Sequence, residues 1–386
     1  MMEIQSSRKN IIFISMLFVS CFSAIFYLYH TSTLNWLQGP TFQLYKHDAW
    51  INAFQASSQQ VNNNNTVTVN QPLIENKKHT TQTQVNQTET LLLIWMWPFG
   101  KRFDLGSCSS VFRLEGCRLT DDRNLFSKAH GVLFHHGNMD GDLSNMPNQT
   151  RPSFQKWIWM NMESPSNSPR YSYLNDLFNL TVTYRRDSDL MIPYGRISLK
   201  NSLDRFQIPH KKKLVCWIVS NWKPEYERSK YFLNLKKHIN VETYGDAFNR
   251  RITNEDYSEL VSSCKFYLSF ENSIHQDYIT EKLFNPMAVG TVPVVLGPSR
   301  KNYEKFIPGS AFIHVNDFKS AQDLAAHLKY LDKNKEMYMK YFIWRERFVV
   351  SRTDFGLEHA CLSCDYIRRN RNYRVRNDLM SWFWDL

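Results

Sequence analysis

The sequence predicts an α/β protein built from two Rossmann-like domains, and three observations carry that reading. Short apolar runs of strand length alternate with polar or amphipathic segments. The alternation breaks off and restarts after Pro209. The chain has 386 residues, more than one hydrophobic core ordinarily organises. With 42% hydrophobic and 15% aromatic residues, it has the material for two cores.

In the first domain the run LLLIWMW at 91–97 is ended by Pro98-Phe99-Gly100 and reads as a buried strand. GVLFHH at 131–136 and KWIWMNME at 156–163 have the same character, and LTVTYRR at 180–186 is a fourth. After Pro209, KLVCWIVS at 213–220 is a strand. A helix over 225–238 follows, with Tyr231, Leu235 and Ile239 four apart. INVETYG, a helix near 254–263 and the strand CKFYLSF come next. A helix over 278–287 then leads to the buried strand TVPVVLG. Two such domains predict a ligand in the cleft between them.

The segment before the first domain is of another kind. Residues 11–29, IIFISMLFVSCFSAIFYLY, contain no charge and would rise about 28 Å as a helix, close to a bilayer's hydrocarbon thickness. Arg8 and Lys9 precede the run and no Lys or Arg follows before Lys46. Residues 1–10 are therefore expected to be a cytosolic tail and the remainder to lie across the membrane. A cleaved signal peptide is the alternative. The run is long for one and lacks a small-x-small site, which favours a retained signal-anchor. Residues 30–90 are rich in Asn, Gln and Thr without apolar period, and read as a flexible stem.

Crossing the membrane implies an oxidising compartment. Cys21 lies in the apolar run, leaving Cys108, Cys117, Cys216, Cys264, Cys361 and Cys364, an even number that suits three disulfides. The Cys361-x-x-Cys364 spacing also admits zinc or redox chemistry, though no second close pair accompanies it. Asn64, Asn86, Asn148 and Asn179 each begin an N-x-[ST] acceptor for glycosylation. The net charge of +11 suits a phosphate-bearing ligand or an anionic surface, and lumenal topology argues against nucleic acid. The Lys211-Lys212-Lys213 run is expected to be a solvated linker.

The chemistry concentrates in FYLSFENSIHQDYITEKLFN, residues 266–285. Ligands of an open parallel sheet bind beyond the carboxyl ends of its strands, which puts Glu271, Asn272 and Ser273 at that edge. The following helix, expected to start near Tyr278, presents a positive N-terminus to an anion. Tyr278, Glu281 and Lys282 then share one face, with Ile279, Leu283 and Met287 on the buried one. An ammonium suits a phosphate and a carboxylate suits neutral hydroxyls, a combination that a nucleotide sugar offers. An ordinary surface Glu–Lys pair gives the same spacing. Pro286 is expected to kink or end this helix.

These strings, with VVLGPSRKNYEKFIP, PSFQKWIWMNMESP, TYRRDSD and LVCWIVSNW, make the chain resemble the vertebrate α1,3-fucosyltransferases of glycosyltransferase family 10, from about Leu91 to Trp384. The resemblance implies a GT-B-like fold: an acceptor domain at 91–208, a donor domain at 209–350, and a segment at 351–386 packing back on the first. It implies an inverting enzyme that moves fucose from GDP-fucose to the GlcNAc of N-acetyllactosamine, needing no metal but allowing Mn²⁺ stimulation. Glu163, in the Glu-Ser-Pro string, is the implied general base. Arg228, Asn272, Tyr278, Glu281 and Lys282 are the implied donor ligands, with Ser220, Asn221, Tyr244 and Gly245 lining the nucleotide pocket. His135 and His136 are expected to face the cleft, with Gly137 and Asn138 in the acceptor region. The family carries a large residue and then Asp after the His pair, whereas this chain has Gly137-Asn138. The pairings Cys108–Cys361, Cys117–Cys364 and Cys216–Cys264 carry over, as does a single-pass type II location in the Golgi membrane, and a homodimer is allowed. Asp140-x-Asp142 and Asp187-x-Asp189 have the DxD spacing of metal-dependent transferases, and Arg185-Arg186 beside the second suggests ion pairing instead. A glycan-binding protein without turnover and a metal-dependent transferase for another nucleotide sugar are the alternatives.

Overall fold

The computed structural model describes residues 89–200 and 206–385. The expected tail, membrane anchor and stem up to residue 88, with Cys21, Asn64 and Asn86, lie outside them; Thr90, placed at the end of the stem, instead opens the first strand. Among the described residues no helix is long and apolar enough to cross a membrane.

The first half alternates strands and short helices: β1 (Thr90–Ile94), α1 (Ser107–Phe112), β2 (Cys117–Thr120), β3 (Gly131–His135), β4 (Lys156–Asn161), β5 (Leu180–Thr183), β6 (Leu190–Met191) and β7 (Gly195–Leu199). Six of these strands form a parallel sheet in the order β2-β1-β3-β4-β5-β6. β3, β4 and β5 are buried at every position, which is why they read as continuous apolar runs rather than alternating ones. β2 and β6 escape the sequence reading because they are short and only partly apolar.

The second half contains β8 (Lys213–Ile218), α2 (Glu227–Leu235), β9 (Glu242–Tyr244), α3 (Asn254–Ser262), β10 (Cys264–Phe270), α4 (Glu281–Ala288), β11 (Val292–Leu296), α5 (Arg300–Tyr303), β12 (Ile313–His314), α6 (Ala321–Lys333) and α7 (Lys335–Met339). Its five strands are again parallel, in the order β12-β11-β10-β8-β9. Val215, Trp217, Phe266, Leu268, Val294 and Leu328 make its core. Both sheets belong to one compact unit. They are tied by β13 (Phe348–Arg352), which pairs antiparallel with β7. α8 (Leu357–Arg369) then packs on β1 and β2, and α9 (Leu379–Trp384) sets Phe383 against Trp159 at 4.9 Å.

The three disulfides pair as the resemblance implies: Cys108–Cys361, Cys117–Cys364 and Cys216–Cys264. The first two fasten α8 to α1 and β2 across more than two hundred residues of chain, where loop-closure entropy contributes most.

Two expectations are corrected here. Asn179 is 1% exposed; its Oδ1 accepts from the Trp157 N–H at 2.7 Å and its Nδ2 donates to the Arg374 carbonyl at 2.5 Å. A glycan on that amide nitrogen has no room in the folded chain, whereas Asn148 is exposed. Lys211 is not a solvated linker residue: its ammonium donates to the carbonyls of Ser262 at 2.7 Å and Gly290 at 2.6 Å. Burial and the nearby Arg345 lower its pKa to about 7.

Candidate active site

Because both sheets are parallel, each gathers its loops at the carboxyl ends of its strands. The two sets face one cleft of about 640 Å³, lined by Phe99, Lys101, Met162, Glu163, Tyr194, Asn272, Tyr278, Glu281, Lys282, Asn285, Arg352, Thr353, Phe355 and His359. Glu163 stands just beyond β4, held by local chemistry. Its N–H donates to Asn161 Oδ1 at 3.0 Å, and its Oε1 accepts from the Ser164 N–H at 2.7 Å.

The second half reaches the same carboxylate. Tyr278 is 2% exposed and its hydroxyl donates to Glu163 Oε1 at 2.5 Å. Burial, then the charges of its neighbours, push that phenol well above its ordinary pKa, so it stays protonated as a donor. Tyr194, also raised by burial, donates to the carbonyl of Met162. Other bonds sew the halves together beside it: Ser273 Oγ to Ser164 Oγ at 2.7 Å, Ser166 Oγ to His275 Nε2 at 2.6 Å, and the Arg186 N–H to Asp277 Oδ2 at 3.1 Å.

Tyr278 does not lie on the helix face expected for it. α4 begins three residues later, capped by Thr280, whose side chain takes the N-cap role that hydroxyl residues prefer. Asp277, with φ of 62°, turns the chain so that Tyr278 points back to the first sheet. Pro286 sits inside α4, which ends two residues on, as its missing N–H and ring predict.

Glu281 and Lys282 open α4 on the cleft. The Lys282 ammonium donates to Thr280 Oγ1 at 2.9 Å and lies 3.1 Å from Glu281 Oε1 and 3.3 Å from Glu271 Oε2. Burial pulls its pKa down, but Glu271 and Glu281 outweigh that and leave it raised. Glu271, 1% exposed, also accepts from the Thr280 N–H at 2.8 Å; burial raises its pKa and Lys282 pulls it back. One buried carboxylate thus anchors the ammonium, while Glu281 and Asn272 look into the cleft.

The remaining expected residues divide. Arg228 is buried on α2 and does not line the cleft, with its guanidinium donating to the Asn221 carbonyl and its Nε unpartnered among the described residues. Ser220, Asn221, Tyr244 and Gly245 sit at the ends of β8 and β9 and do not line this cleft. Gly245 is required by backbone: φ is +98°, and a Cβ there would lie 2.2 Å from the Val219 carbonyl oxygen.

The histidine pair does not face the cleft together. His136 turns into the aromatic core, bonded to the Trp159 indole at 3.2 Å and to the Pro169 carbonyl at 2.8 Å. Burial lowers its pKa to about 4. Successive strand residues point to opposite faces, so one of two adjacent histidines must go inward. His135 bonds to Asn138 Oδ1 at 2.6 Å and packs on Phe99 at 4.6 Å. Asn138 also accepts from the Phe99 N–H at 2.9 Å, holding that residue at φ of 52°. The 137–138 loop therefore acts on the cleft through Phe99. Gly137 leaves open the space in which a side chain would press on His135, 3.0 Å from the position of a Cβ.

Sequence reasoning missed the far wall. Phe99 stacks on Phe355 at 5.8 Å, and Arg352, Thr353 and His359 come from the end of β13, the link after it and the first turn of α8. Their only sequence signal was the disulfide pairing that brings α8 to the first sheet.

Of the two DxD strings, Asp140 and Asp142 are exposed, whereas the carboxylates of Asp187 and Asp189 are engaged by the first half and the C-terminal segment. Asp187 pairs with Arg185 at 2.6 Å and accepts from the Trp382 indole at 2.9 Å. Asp189 pairs with Arg374 and accepts from the Thr181 N–H at 2.8 Å. Among the described residues no group of three His, Cys, Asp or Glu side chains is placed to hold a metal ion.

Two parallel α/β halves thus meet at a cleft, with the Glu163 carboxylate on one wall and the Lys282 ammonium on the other, the arrangement of a two-domain transferase. The family model "Fucosyltransferase, N-terminal" matches residues 87–195, and "Glycosyltransferase family 10 (fucosyltransferase) C-term" matches residues 208–382. The chain belongs to glycosyltransferase family 10, the fucosyltransferases.

Among similar proteins, 4-galactosyl-N-acetylglucosaminide 3-alpha-L-fucosyltransferase 9 of Bos taurus is 53% identical over 77% of this chain and 83% of its own length. The Homo sapiens protein of the same name is 52% identical over the same shares. The crystal structure of an alpha1,3-fucosyltransferase with GDP-fucose has the same fold, at a TM-score of 0.51 and 17% identity, covering 75% of this chain and 92% of that one.

Proposed function

We propose that the chain is an inverting α1,3-fucosyltransferase that moves fucose from GDP-fucose to the 3-hydroxyl of GlcNAc in N-acetyllactosamine, giving a Lewis x type product. The reading rests on Glu163 standing across the cleft from Lys282 and Asn272, in a chain half identical to proteins named for this transfer.

The acceptor 3-oxygen attacks the anomeric carbon of fucose from one face, and the bond from that carbon to the phosphate oxygen breaks on the other. Glu163 takes the hydroxyl proton. Two donors already occupy its Oε1, which leaves Oε2 as the base. Such a carboxylate is worth about 10²–10⁴-fold. GDP departs with the bonding electrons, and Lys282 and Arg228 offset its growing charge. Glu281 and Asn272 accept and donate to fucose hydroxyls. The Phe99–Phe355 stack faces the acceptor. On this reading the first half takes the acceptor and the second the donor, and the enzyme sits in the Golgi membrane as a single-pass type II protein with its catalytic part in the lumen.

The test is incubation of the full chain with GDP-fucose and N-acetyllactosamine, with and without EDTA, and linkage analysis of the product. A 3-linked fucose in both arms is expected. Absence of transfer by a folded sample overturns the reading.

A further inference from the structure

The edge of the first sheet opposite the cleft carries a concentration of cations. Lys156 opens β4, is 4% exposed, and donates to the Asn370 carbonyl at 2.5 Å; among the described residues no carboxylate pairs with it. Arg368 and Arg369, in the last turn of α8, share Asp365 at 2.7 and 2.8 Å. Arg374 pairs with Asp189, and Arg376 with Asp378 at 2.7 Å. Arg371 is exposed without an ion pair among the described residues. Six cations therefore meet three carboxylates, Asp365, Asp189 and Asp378.

The excess is felt inside the protein. Burial and then Arg371 and Arg374 hold the Lys156 ammonium below its ordinary pKa, and burial and then Arg371 do the same to His130. A cation near a helix C-terminus explains the single bond of Lys156 to a carbonyl. It does not explain arginines continuing past the helix, along residues 370–376 that form neither helix nor strand.

In that segment Arg371 and Arg374 lie at most about 10 Å apart along extended backbone. Between them Tyr373, 46% exposed, offers a ring face. Guanidinium forks match sulfate and carboxylate oxygens two at a time. Three disulfides belong to an oxidising compartment, which sets nucleic acid aside. Exposed apolar surface in the segment is confined to Tyr373 and Val375, too little to insert among lipids.

We propose that the exposed Arg369, Arg371 and Arg374, with Tyr373 and backed by the buried charge of Lys156, form a second binding site for a sulfated or carboxylated polysaccharide chain, separate from the catalytic cleft. It binds without transforming its ligand and holds the enzyme on acidic glycans while the cleft works. It does not depend on the identity of the donor or acceptor.

The test is salt-dependent binding of the full-length chain to immobilised heparin. The pair Arg369→Gln and Arg371→Gln is compared with Lys329→Gln and Lys340→Gln, exposed lysines elsewhere that remove the same charge. The arginine pair is expected to weaken binding about tenfold and to lower the slope of log affinity against log salt by about two, as loss of two charge contacts does. The lysine pair is expected to change affinity less than about twofold on the same scale. Family activity is expected to be unchanged in both. Equal loss in the two pairs, or no loss in the arginine pair, overturns the proposal. Arginine-dependent binding to vesicles containing anionic phospholipid, with none to heparin, overturns it in favour of a membrane.

Discussion

The hydroxyl of Tyr278 donates to Glu163 Oε1 at 2.5 Å, joining a residue just ahead of α4 in the second half to the carboxylate at the end of β4. The resemblance assigns Tyr278 to the donor. Its geometry ties it equally to Glu163, the base of the proposed function, whose side chain it holds from across the cleft. Tyr278→Phe keeps the buried ring and removes only the donor. We expect kcat to fall about tenfold, the loss of one charge-assisted hydrogen bond, with affinity for GDP-fucose little changed. Isothermal titration with the donor and steady-state kinetics on the same sample separate the two roles. A defect confined to donor affinity returns Tyr278 to the donor alone.

Lys282→Ala removes the ammonium that the second half presents to the cleft and strands Glu271. Donor binding should weaken by tenfold or more. Stability should fall by about 3 kcal/mol at pH 8, the lower end for breaking a buried ion pair, since Lys282 is partly exposed. The sign with pH follows from Glu271. Its folded pKa is already raised by burial, so the buried carboxyl contributes most when protonated, below its unfolded pKa, and that contribution is lost as pH rises through the folded value. Without the ammonium the folded pKa moves higher still. The variant's deficit against the parent should therefore be smaller at pH 5 than at pH 8. Thermal unfolding at the two pH values reads this directly, and a deficit that is larger at pH 5 contradicts it.

Phe99→Ala removes the ring that Asn138 and His135 hold against Phe355. The Michaelis constant for the acceptor should rise about tenfold, the worth of about 1.4 kcal/mol of lost ring contact, while that for GDP-fucose stays within a factor of two. Equal changes in both constants would show that the stack supports the whole cleft instead.

Glycopeptide mapping of the purified full chain should find sugar on Asn148 and none on Asn179. The Asn179 amide bridges Trp157 and Arg374 at 1% exposure. Asn179→Gln should destabilise by about 1–3 kcal/mol by leaving those buried groups unpaired. An occupied Asn179 in folded enzyme would mean that the β4–β5 region opens more than this packing allows.

The sheets were legible because their central strands are buried on both faces and stand out as apolar runs; KWIWMN and CKFYLSF are the plainest. The Glu271–Lys282 region was legible because a strand end and a helix start lie within twelve residues. The helix start itself was misplaced: Thr280 is of the type that caps a helix, but nothing local shows that Asp277 adopts a positive φ and throws Tyr278 across the cleft. His135 and His136 looked equivalent in sequence, and strand alternation separates them. Phe355 and His359 were invisible because they reach the cleft only after β13 pairs with β7 and α8 returns to the first sheet. Such long-range closure leaves no periodic trace.

Replacement of Glu163 by Gln decides whether this carboxylate drives the transfer. Gln keeps the size and both accepted hydrogen bonds but cannot take a proton. With GDP-fucose saturating and acceptor in excess, the single-turnover rate of Glu163→Gln should fall about 10²–10⁴-fold, while the dissociation constant for GDP-fucose stays within a factor of three. A near-parental rate in a variant that binds donor normally contradicts the assignment of Glu163 as the base.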